Sequence, residues 1–60
     1  MKKDEVKDYL NQKVYILLKN NFNYTCQITD IGEDSFSGID KYGNRITILF
    51  DMIALLEAKE

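Results

Sequence analysis

The chain has no histidine, no proline and a single cysteine, Cys26. Without histidine it lacks the side chain that titrates near neutral pH and does most general acid–base work. With one thiol it can form no intrachain disulfide, and it lacks the cysteine–histidine set of a zinc site. A monomer of about this length buries only roughly 60% of its unfolded surface. A 60-residue domain with neither disulfide nor metal therefore calls for another stabiliser, self-association foremost.

Long apolar runs are also missing. The longest, Val14 to Leu18 and Ile46 to Phe50, are far too short to cross a bilayer. The opening stretch "MKKDEVKDYL" is charged and has no apolar h-region, so neither a secretory signal nor a membrane partner is expected. A lone unpaired cysteine agrees with a reducing compartment, and the expected location is cytoplasmic. No stripe of Lys and Arg exists. Eight of them stand against ten Asp and Glu, net −2, which argues against a generic nucleic-acid-binding surface. Any such site has to be local, built from a few residues and repeated by symmetry; otherwise the charges are solvated surface. There is no phosphate-binding glycine loop, internal repeat or low-complexity segment.

What is present is periodicity. In residues 3 to 11, Val6, Tyr9 and Leu10 stand at i, i+3 and i+4, the apolar face of a short helix, with Asp4 and Glu5 in its first turn. Asn11 and Gln12 can end it. From Lys13 the period changes to two. Val14, Ile16 and Leu18 form one face of a strand and Tyr15 and Leu17 the other, so burial on both faces is expected. Asn20 and Asn21 suit a tight hairpin turn. A long half-buried strand follows from Phe22, with a break in its alternation near Asp30. "SFSGID" reads as a strand whose interior Gly38 marks a bend or a close backbone approach. "RITILF" is the next strand, Asp51 interrupts, and "MIALLE" closes the pattern. The prediction is a mainly β single domain over 1–60: a helix at about 3–11, then a strongly bent five-stranded antiparallel barrel at about 13–57.

In order and spacing, "LNQKVYILLKNN", "FNYTCQITDIGED" and "NRITILFDMIALLE" resemble the Sm-like family of Sm, LSm and Hfq proteins over roughly residues 5 to 57. The family lies within the wider SH3-like group. Its pattern departs at the sharpest positions. Asn21 stands for the turn glycine and Cys26 for a small glycine of the second strand. Glu33-Asp34-Ser35-Phe36 stands for the Asp-x-x-Met-Asn segment, and Phe50-Asp51 for the Arg-Gly of Sm or the Lys-His of Hfq.

The resemblance implies a non-enzymatic, RNA-binding homo-oligomer, a ring of six or seven subunits joined through their last two strands. Carried over residue by residue, the RNA path is Asp34, Ser35 and Phe36 after the second strand and Phe50 and Asp51 after the fourth. Phe36 or Phe50 offers a stacking platform or belongs to the core. Asp51 repels phosphate. Lys41, Tyr42, Asn44 and Arg45 offer a second RNA-facing edge, or an ordinary exposed turn. Ile46, Ile48, Leu49, Ile53 and Leu55 are the expected subunit interface. No cofactor or metal is expected: Cys26 reads as packing, and Asp30, Glu33, Asp34 and Asp40 lack the spacing of a calcium loop. The rival readings are an SH3-like module that binds protein or only itself, another small barrel such as a PRC-like domain, and, behind these, a small enzyme or metal-binding module.

Overall fold

In the computed structural model, residues 1–59 are described. Glu60, the last residue of the expected 1–60 domain, lies outside them. Helix α1 spans Lys3–Val6 and runs into a 3₁₀ turn at Lys7–Tyr9. Five strands follow: β1 Lys13–Leu18, β2 Asn23–Ile31, β3 Ser35–Asp40, β4 Arg45–Leu49 and β5 Ile53–Ala58, with a second 3₁₀ turn, Phe50–Met52, before the last. All pairings are antiparallel, in one open sheet of order β4-β3-β2-β1-β5. Among the described residues β4 and β5 are the two edges and do not pair with each other. No described helix is long and apolar enough to cross a membrane.

The helix is shorter than its apolar spacing predicts. The Glu5 carboxylate caps its start, accepting from the Lys2 amide at 3.0 Å. Leu10 already has extended backbone, with ψ 133, and Asn11 sits at φ 67, which asparagine tolerates better than most residues. The Asn11 amide donates to the Ile28 carbonyl at 2.7 Å, and the Ile28 amide to Gln12 at 3.1 Å, strapping the connector to β2. Val6 is therefore fully buried and Tyr9 half-buried, but Leu10 is exposed, contrary to the expected Val6–Tyr9–Leu10 face. Three residues cannot share a helical face when the helix ends before the third.

The β1–β2 loop bends where the asparagines predict it. The Leu18 amide donates to Phe22 at 2.8 Å, and Asn21, at φ 71, takes the left-handed place that closes a three-residue hairpin loop. In β1, Val14, Ile16 and Leu18 are buried, whereas Tyr15 and Leu17 are half-buried, so only one face is fully covered.

Two bulges reset the side-chain phase. In β2, Ile28 faces Gly38 and Asp30 faces Ser37, leaving Thr29 as the extra residue; this is the break expected near Asp30. In β5, Leu55 faces Leu17 and Ile53 faces Leu18, leaving Ala54 extra. An unbroken strand would send Ile53 and Leu56 to opposite faces; the bulge turns both into the core. Gly38 makes the close approach its position predicts, since a Cβ there would lie 2.5 Å from the Gln27 carbonyl oxygen. The core draws on α1, all five strands and the second 3₁₀ turn, and none of its buried side chains among the described residues is polar.

Candidate nucleic-acid interface

The segment before β3 and the turn after β4 lie side by side. The Phe50 amide donates to the Asp34 carbonyl at 2.9 Å, tying the segment before β3 to the turn after β4. Met1, Lys2 and Lys3 line the same cleft as Asp34, Phe50 and Asp51. The Met1 nitrogen donates to the Phe50 carbonyl at 3.1 Å, and Lys3 pairs with Glu33 at 3.0 Å. Asp34 and Asp51 are exposed and Ser35 is half-buried. Glu33, Asp34 and Asp51 stand there against Lys2, Lys3 and the Met1 amino group, so the cleft has no excess of cations to offer a phosphate backbone.

The aromatic residues of that end are not available to a ligand. Phe36 is 1% exposed and Phe50 4%, both within the core. Phe36 occupies the inward phase of β3, and Phe50 opens the second 3₁₀ turn as that turn's buried residue. Of the two readings of Phe36 and Phe50, stacking platform or core, their burial favours the core.

The hairpin cluster lies at the opposite end of β3 and β4. Asp40 shapes it: its Oδ1 accepts from the Tyr42 amide at 2.9 Å and the Asn44 amide at 2.8 Å, while Gly43 takes φ 85. Tyr42 projects with 77% of its surface exposed, and the Lys41 ammonium stands 5.2 Å from its ring centroid. Asn44 is exposed, and the Arg45 guanidinium stands 3.7 Å from Asp30. With about 3.3 Å per strand residue, the length of β3 puts roughly 17 Å between the hairpin and the loop pair. The nine candidate RNA residues thus form two separate places rather than one.

The expected interface residues also divide. Ile48 and Ile53 are buried in the core and Ile46 is half-buried, so Ile48 and Ile53 are corrected from interface to core. Leu49 is 55% and Leu55 41% exposed, one on each sheet edge. Ile46 and Leu49 border an open apolar groove with Leu18, Tyr24 and Met52.

Cys26 is buried, and burial, followed by the nearby Asp40 carboxylate, pushes its thiol up to about 11. It stays a neutral packing group at physiological pH. Among the described residues no three His, Cys, Asp or Glu side chains group as metal ligands would.

Sequence reasoning missed two cations beside the hairpin. Lys13, Lys41 and Lys59 border one trough, because the β1–β5 ladder continues to a hydrogen bond from the Lys59 amide to the Lys13 carbonyl at 2.8 Å. Lys13 and Lys59 lie far apart in the chain, and only strand pairing brings them together. Comparison of the chain with family models, with curated proteins and with solved structures finds no match.

Proposed function

We propose that the chain is a non-enzymatic, Sm-like subunit of the SH3-like barrel type that assembles edge to edge into a homo-oligomeric ring and binds single-stranded RNA in the cytoplasm. The observation that carries this reading is the strand order, which leaves β4 and β5 as free edges with Leu49 and Leu55 exposed on them. An unpaired strand edge bearing apolar side chains favours addition of another strand. A small core without disulfide or metal gains stability from that addition. Head-to-tail pairing of β4 on one copy with β5 on the next is heterologous, and such contacts give rings when the rotation closes. A ring then multiplies one weak site per subunit by avidity.

Native mass measurement tests the assembly: a closed oligomer is the expected result, six or seven subunits by the Sm resemblance. Leu49→Glu and Leu55→Glu should each give a folded monomer. A wild-type protein that stays monomeric at micromolar concentration removes the ring reading. A second reading, a module that assembles or binds protein without RNA, is favoured by the absence of a cationic excess in the loop-pair cleft and by the burial of Phe36 and Phe50. Absorbance of the purified protein at 260 against 280 nm, followed by titration with RNA oligomers, separates the two.

A further inference from the structure

On the reading that the chain binds RNA, the open question is which surface holds the strand. Lys13, Lys41 and Lys59 border a trough of about 510 Å³ whose floor includes Thr25 and Gln27. It adjoins a smaller hollow lined by Asn23, Tyr24 and Tyr42, the two meeting at Thr25, Asp40 and Lys41. Three of the chain's eight Lys and Arg side chains face this surface, against one of its ten carboxylates, Asp40, among the described residues. That carboxylate already accepts two backbone amides of the hairpin. In a chain of net charge −2, the local sign is reversed here.

We infer that this trough, and not the loop pair, is where a single strand of nucleic acid runs, its phosphates along Lys13, Lys41 and Lys59 and a base stacked on Tyr42. A positively charged groove beside an exposed aromatic ring is the arrangement that holds single strands without reading sequence. Asn23, Thr25 and Gln27 add amide and hydroxyl groups for sugar or base edges. The Asp40 hydrogen bonds hold the hairpin in shape before any ligand arrives, so little ordering cost falls on binding. The loop-pair cleft has no such excess: Glu33, Asp34 and Asp51 line it against Lys2, Lys3 and the Met1 amino group, and Lys3 is already paired with Glu33.

Fluorescence anisotropy of labelled oligoadenylate and oligouridylate, across a salt series, tests the assignment on the full chain. Lys41→Gln and Lys59→Gln should each lower the slope of log affinity against log salt by about 0.7, one phosphate contact on a single strand. The two together should weaken both oligomers alike, by on the order of tenfold. Tyr42→Ala should weaken binding by about tenfold, and Tyr42→Phe should restore it, because stacking needs only the ring. All three side chains are exposed, so circular dichroism melts should match wild type. Lys2→Gln with Lys3→Gln, at the loop pair, should change affinity by less than about twofold.

If the Lys2 and Lys3 changes abolish binding while the trough variants bind as wild type, the inference falls and the RNA reading stands. If wild type binds neither oligomer even at low salt, both fall. If polyglutamate competes as well as RNA and Tyr42→Ala has no effect, the trough serves an acidic polypeptide and the inference is overturned.

Discussion

The two ends of the β3–β4 pair carry similar residue types and put them to opposite use. At the loop-pair end, Phe36 and Phe50 are buried, and the surface left to solvent sets Glu33, Asp34 and Asp51 against Lys2, Lys3 and the Met1 amino group. At the hairpin end, Tyr42 is exposed, Lys41 lies against its ring, and Lys13 and Lys59 arrive from β1 and the end of β5. An aromatic residue turned inward, as Phe36 is by its strand and Phe50 by the second 3₁₀ turn, is consumed by the core. One placed in a four-residue turn held by Asp40 has no core to join. Resemblance to a family points to positions; burial decides whether the side chains there can meet a ligand.

The sharpest way to break this contrast is to truncate one ring at each end. Phe36→Ala should cost about 3–5 kcal/mol, enough to unfold much of so small a domain, while Tyr42→Ala should stay within about 0.5 kcal/mol. Urea denaturation followed by circular dichroism reads both. A mild Phe36→Ala variant would mean that its ring is not packed as described.

Cys26 sharpens the comparison from beneath the trough. Its thiol is raised from 9.0 to about 11, so the neutral form is favoured in the folded chain. Between those values the unfolded state loses its proton first. Stability should therefore be complete below pH 9 and fall as pH rises toward about 11, by up to about 2–3 kcal/mol. Thermal melts of wild type and Cys26→Ala across that window should converge if the thiol is responsible.

Gly38 lies between the two ends. Adding a methyl group brings it against the Gln27 backbone, so Gly38→Ala should destabilise by about 1–3 kcal/mol through forced separation of β2 and β3. A thermal melt unchanged from wild type would mean that the strands can part there freely.

The smallest expected effect lies on the N-terminal segment. Leu10→Ala should change stability by less than about 0.5 kcal/mol, whereas Val6→Ala, at a fully buried site, should cost about 2 kcal/mol. Equal losses would mean that the segment docks through its whole apolar face.

Much of the architecture was legible because it rests on local chemistry. The change of period at Lys13 marked the first strand. Asn21 and Gly43 marked turns that require φ > 0, and Gly38 marked a backbone approach that admits no Cβ. The break near Asp30 appeared as a lapse in alternation and is the bulge at Thr29. The bulge at Ala54 left no such mark, because apolar residues on both sides of it hide the change of phase. That is why Ile53 and Leu55 looked alike in sequence, although one is core and the other edge.

By itself, then, the sequence determined a β-rich chain with a short leading helix, its turns and most of its inward-facing residues, since each depends on neighbours within a few positions. Only the tertiary structure decided that Leu10 faces solvent, that Phe36 and Phe50 are both spent on the core, and that β4 and β5 are left as open edges. It also brought Lys13, Lys41 and Lys59 to one trough. Those outcomes depend on which strands pair and in what register, and register joins residues that no local pattern relates.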